Sequence, residues 1–201
     1  MAYMMVHLLV AKRWAEGHPE FLRSPEFFYG AISPDAIHVR DGNDKSHKNE
    51  IHLNNWGTFH EREVLDYWRS RLSPFDVGYG VHVLTDAQWV PRYKRRLRGL
   101  FKADGSLDVD FYFLENIATD FVLRDETEDI GEILDLIERA ETPADHPLLT
   151  AYELNRWREV MVEAYRGACP RQHASSLVTP GYVRQFVPES LALIDEVYGK
   201  I

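Results

Sequence analysis

Apolar positions recur at three- and four-residue spacing along most of the chain, and that period predicts helices. Over residues 4–16, Met5, Leu8, Leu9 and Ala15 fall on this spacing, and His18-Pro19 ends the run. Ser24-Pro25 restarts a helix, with proline at a tolerated first-turn position, and Ser33-Pro34-Asp35 breaks it. Thr58-Phe-His-Glu61 reads as a capping box, followed by the stripe Val64, Leu65, Trp68 and Leu72. Ser73-Pro74 opens the next helix, predicted to run through Val90 and stop at Pro91. Ser106 caps a predicted helix over 107–124, with Phe111, Leu114, Ile117, Ala118, Phe121 and Val122 inside. Residues 127–140 place Ile130, Ile133, Leu134 and Ile137 on one face. Thr150-Ala-Tyr-Glu153 is a second capping box, opening a helix through Ala168. Thr179-Pro180 starts the last segment, which Pro188 is expected to split.

Residues 37–57 break the period. Ile37–Arg40 and Ile51–Leu53 read as a short strand pair around the polar stretch Asp41–Glu50, or as one long loop of the kind that carries chemistry. Elsewhere strand-like alternation is nearly absent, and neither an internal repeat nor a low-complexity linker interrupts the pattern. The prediction is one all-α domain over residues 1–201, a multi-helix bundle of about eight helices.

Composition narrows the function classes. The 201 residues are 45% apolar and 27% charged, as in a globular protein with a proper core. A net charge of −9 argues against a general nucleic-acid coat, so no stable nucleic-acid partner is expected. One cysteine, Cys169, excludes an internal disulfide and a Cys-rich zinc finger. The uncharged start, residues 1–11, has its basic residues after the apolar run and is too short to span a membrane. It reads as a buried first helix in a cytoplasmic protein with no transmembrane segment.

The candidate chemistry centres on residues 75–90. His82 and Asp86 are four apart, so they share one helix face among Val81, Val83, Leu84 and Trp89. Such a pair either grips a metal ion or forms a buried polar contact in which the carboxylate orients the ring. His7 lies in the apolar first helix, Asp35 follows a proline in a turn, and His47 sits in the polar loop. Each has an ordinary reading alone: a core histidine, a turn cap, an exposed loop residue. Together they supply three imidazoles and two carboxylates, the ligand chemistry of zinc, manganese or iron.

The order of these pieces resembles the zinc-dependent phospholipase C family, in particular its short bacterial cytoplasmic relatives. The matching pieces are His7-Leu-Leu-Val-Ala, Gly30-Ala-Ile-Ser-Pro-Asp35, Lys45-Ser-His47 and Gly78-Tyr-Gly-Val-His82-Val-Leu-Thr-Asp86. They cover roughly residues 1–125. The resemblance implies an all-α fold shared with fungal single-strand-specific nucleases, and a metal cluster that activates water against a phosphate ester. It implies Asp35, His47, His82 and Asp86 at one ion, with His7 and a share of Asp86 at a second. Where the family has a later His-x-x-x-Asp/Glu pair, this chain has Asn116-x-x-x-Asp120. One or two divalent ions follow, zinc first, with manganese or iron as alternatives.

On this reading the chain is a metal-dependent hydrolase of a small phosphate ester, with Asp35 also the general base. His38 and Arg40 are candidate substrate contacts; His38 also reads as a support for Asp35, and Arg40 as a solvated arginine. Arg92 opens the one basic cluster, Arg92–Arg98, read either as an anion-steering rim or as a solvated helix face. His18, His52, His60, His146 and His173 are left as surface or capping residues. The competing reading is a non-catalytic metal- or ligand-binding domain that retains the fold.

Overall fold

In the computed structural model, which describes residues 2–41, 46–169 and 173–201, the chain is all-α. Met1 and the Asp44-Lys45 part of the loop motif lie outside the described residues. The helices are α1 (Met4–Ala15), α2 (Pro25–Gly30), α3 (Ile37–Asp41), α4 (Lys48–Ile51), α5 (Glu61–Ser70), α6 (Pro74–Arg96), α7 (Val109–Glu126), α8 (Ile130–Arg139), α9 (Ala151–Arg166) and α10 (Pro180–Tyr198). Among the described residues there is no strand, only an isolated antiparallel bridge between Phe101 and Leu107.

Helix α6 is the axis of the molecule. Every residue from Phe75 to Ala87 is buried, so the helix is wrapped on all sides rather than on one face. It packs against α1, α2, α5 and α10. Serine 73 caps it by accepting the Asp76 N–H at 3.2 Å, with Pro74 in the first turn. The cap is as the sequence predicts; the end is not. Pro91 lies inside α6, and the helix continues to Arg96. A mid-helix proline costs roughly 3 kcal/mol. Buried Trp89, Val90, Arg92 and Tyr93 flank it and offset that cost. Pro188 is likewise held inside an unbroken α10, between buried Phe186 and Leu193.

Other local predictions divide in the same way. The Thr150 capping box is present in both halves: Thr150 accepts the Glu153 N–H, and Glu153 accepts the Thr150 N–H at 2.7 Å. The Thr58 box is not formed. Asn55 instead accepts the His60 N–H at 2.6 Å, which delays the first turn, so α5 starts at Glu61. Asp108, not Ser106, caps α7 by accepting the Phe111 N–H at 3.1 Å. Ser106 is occupied by Asp104 in the preceding turn. The strand pair at 37–57 is replaced by α3 and α4, because Ile37 continues directly from a 3₁₀ turn over Ser33–Ala36.

Two glycines bring α2 onto α6. A Cβ on Gly78 would lie 2.0 Å from the Phe27 carbonyl oxygen, and one on Gly30 would lie 2.0 Å from that of Phe75. The two backbones therefore touch, with no room for a side chain between them. Gly78→Ala is expected to destabilise the protein by about 1–3 kcal/mol, the cost of overpacking a site whose neighbours are backbone. Gly131→Ala, in the open on α8, should be neutral or stabilising by up to about 1 kcal/mol. Thermal unfolding of the two variants beside the wild type measures both.

Candidate metal centre

Three imidazoles and two carboxylates converge beside the α2/α6 crossing. His7 comes from α1, Asp35 from the 3₁₀ turn, His52 from the end of α4, and His82 and Asp86 from successive turns of α6. His7 and His82 are 1% exposed, His52 and Asp86 0%, and Asp35 6%. The His52 Nε2 lies 3.4 Å from Asp86 Oδ2 and 3.7 Å from Asp35 Oδ1. The His82 Nε2 lies 3.9 Å from Asp35 Oδ2 and 4.0 Å from Asp86 Oδ2. The His7 Nε2 lies 3.6 Å from Asp86 Oδ1, and its ring stacks on His82 with centroids 3.6 Å apart. These separations exceed most hydrogen bonds. They are close to the roughly 3.4 Å between neighbouring donors that share a tetrahedral zinc ion at about 2.1 Å.

The imidazoles are oriented for this. The ring Nδ1 of His82 is 2.8 Å from the Ala31 carbonyl, and that of His52 is 2.9 Å from the Lys48 carbonyl. A carbonyl only accepts, so each Nδ1 carries a proton and each Nε2 points inward. Burial lowers the pKa of His82 well below the usual imidazole range, helped by the stacked His7, and burial lowers that of His7 as well. Both rings are neutral. Among the described residues, no hydrogen-bond partner meets either ring nitrogen of His7, Nε2 of His52 or His82, or Oδ2 of Asp86. Buried polar atoms left this way are costly unless something fills the space between them. Two overlapping sets have ligand atoms within 4.8 Å of one another: His52, His82 and Asp86, and His7, Asp35 and His82. Either set could hold a metal ion.

Asp35 has a further neighbour. The Lys48 ammonium, 2% exposed, donates to Asp35 Oδ1 at 3.0 Å and lies 3.2 Å from His38 Nε2. It also sits 4.5 Å from the centre of the Trp56 ring. Burial pushes the Asp35 carboxyl up, but the opposing effect, led by the Lys48 ammonium, holds the pKa well below the usual range.

His7, Asp35 and His82 of the cluster line a cavity of about 620 Å³, with His52 and Asp86 behind them. Asp35, His7, His38 and His82 face it from below, and Tyr3, Met4, Ile32, Phe113, Ile117, Phe121, Trp157 and Met161 make the walls. Phe113, at the rim, is 40% exposed.

Of the residues expected from sequence, His7, Asp35, His82 and Asp86 meet, and His38 joins them at the cavity. His47 does not. It is exposed at the start of α4, beside Ser46, and belongs to neither donor set. His52, left as a surface or capping residue, takes the inward position, because a helical turn over 48–52 carries it past the exposed face. Lys48 and His52 are four apart, so reading 48–52 as helix puts both on one side.

Asn116 and Asp120 are buried but lie outside both donor sets. Asp120 Oδ2 accepts the Met5 N–H at 2.9 Å and the Tyr165 hydroxyl, so it caps the start of α1, whose own first residue before the helix, Tyr3, supplies no side-chain cap. Burial raises the Asp120 pKa to about 7. The Asn116 amide donates to the Tyr112 carbonyl one turn back. Arg40 is no cavity residue: it forks onto Glu153 at 2.6 and 2.9 Å and reaches the Leu148 carbonyl, tying α3 to α9. Arg92 is also away from the cavity, buried against α10, where it pairs with Glu189 and stacks on Tyr182.

No protein-family model, curated protein or solved structure matches this chain.

His7 and His82 have folded pKa values below the unfolded value, so the unfolded chain binds more protons as pH falls below about 6.5. Metal-free protein should therefore lose thermal stability between pH 7 and pH 5. His82→Asn, which removes one of the two groups, should show a shallower decline in the same melts.

Proposed function

We propose that this chain is a metal-dependent hydrolase of a phosphate ester with an apolar substituent, zinc being the leading ion. The observation that carries the proposal is the set of inward Nε2 atoms facing two buried carboxylates beside an apolar cavity. The likeness of the ordered motifs to the zinc-dependent phospholipase C family supports the same reading.

His52, His82 and Asp86 would hold an ion, with His7 and Asp35 beside them. A bound divalent ion supplies a Lewis acid that lowers the pKa of a water and draws charge from phosphoryl oxygens. The chain's own residues do the rest. Asp35 stays ionised and faces the cavity, so it orients an attacking water by accepting its hydrogen bond. A carboxyl held so low is a weak base and releases any proton it takes. The apolar walls shed water and seat an apolar substituent above the polar floor.

A non-catalytic metal-binding domain is the second reading, and Lys48 favours it. Its ammonium lies on the carboxylate that the first reading gives to the water.

Elemental mass spectrometry on tag-free protein purified without chelator tests the centre, followed by a phosphoester panel with the metal found. Wild type and His47→Ala should retain metal and activity. His52→Ala and His82→Ala should lose metal affinity by at least about tenfold and activity by about a hundredfold or more. Metal without hydrolysis moves the assignment to the second reading, and a wild type that takes up no ion defeats both.

A further inference from the structure

The most unusual group in the centre is a lysine. Two buried carboxylates, Asp35 and Asp86, share this pocket with a buried ammonium from Lys48. Among the described residues that ammonium meets Asp35 Oδ1 at 3.0 Å, His38 Nε2 at 3.2 Å and the face of Trp56. An oxygen, an imidazole nitrogen and a π-face are what a cation wants. Asp35 Oδ1 and His38 Nε2 are also atoms that a metal ion would use as ligands.

We infer that the Lys48 ammonium takes the place of a second metal ion, so that the centre holds one divalent ion, at His52, His82 and Asp86. This rests on the metal-centre reading above and narrows it. Geometry supports it. The His7, Asp35 and His82 set shares His82 with the first set, and its carboxylate is the one that Lys48 already binds.

The arrangement makes the number of ions depend on one side chain. Lys48→Ala removes the ammonium and opens space between Asp35 and His38. Lys48→Arg keeps the charge. Lys48→Gln is neutral and nearly as long, and serves if the alanine variant does not fold.

Each protein would be loaded with excess zinc, desalted, and measured for zinc per chain by elemental mass spectrometry, with circular dichroism to establish folding. The expected result is one zinc in wild type and in Lys48→Arg, and two in Lys48→Ala or Lys48→Gln. Two ions in wild type overturn the inference. So does a single ion in a folded neutral variant. No zinc in wild type or any variant defeats the metal centre itself, a different failure from a wrong count.

Discussion

The contact between the backbones of α2 and α6 is the constraint on which the rest depends. Gly30 and Gly78 face each other's neighbouring carbonyls at distances that no Cβ survives. That closeness brings the end of α2 within reach of the middle of α6. The Ala31 carbonyl, one residue past Gly30, then meets Nδ1 of His82, one turn past Gly78. The packing of two helices thus sets the tautomer of an imidazole. The polar centre is a consequence of where two side chains are missing.

Burying such a centre is expensive, and the structure distributes the cost. Each carboxylate is held by a donor at hydrogen-bond distance: Lys48 for Asp35, and the Ala2 N–H, at 2.6 Å, for Asp86. The three imidazoles have no donor aimed at their inward nitrogens. Half of the cluster is therefore satisfied by protein and half is left open, and the open half points at a common space. A structural polar network would close its own bonds, because an unmet buried acceptor costs about 1–3 kcal/mol. Leaving several unmet together is what a site that completes itself with a ligand looks like.

How much of this was legible in the sequence depends on where each signal lies. Helix α6 announces itself by Ser73-Pro74, and His82 and Asp86 follow from four-residue spacing on a continuous helix. The α9 capping box is legible for the same reason, since its two partners are three residues apart. His52 is hidden because α4 is only four residues long, too short for a period to emerge, and the following Leu53 and Asn54 adopt φ of 52° and 58°, a reversal with no glycine to mark it. Pro91 and Pro188 mislead because local propensity marks a helix end while buried neighbours on other helices decide otherwise. Arg40 and Arg92 mislead in the opposite sense: a cation near the motif reads as an anion clamp until Glu153 and Glu189, far along the chain, are seen to occupy it. The limit is the same in each case, a partner supplied by a distant element.

The first helix shows how the centre and the scaffold are joined. No side chain caps α1 locally, so its exposed N–H groups must be met from elsewhere. Asp120 meets the Met5 N–H inside the first turn, Asp86 meets the Ala2 N–H just ahead of the helix, and both carboxylates sit where the positive end of the helix dipole favours them. Asp86 therefore has two loyalties: Oδ1 to the start of α1, and Oδ2 to His52 and His82. Because α1 also carries His7, stacked on His82, the carboxylate that holds the helix in place also sets the distance between two imidazoles. Ligand geometry and helix docking are then one constraint. Anything that draws Asp86 toward the imidazoles acts on the start of α1 as well, and through Tyr3 and Met4 it reaches the wall of the cavity above.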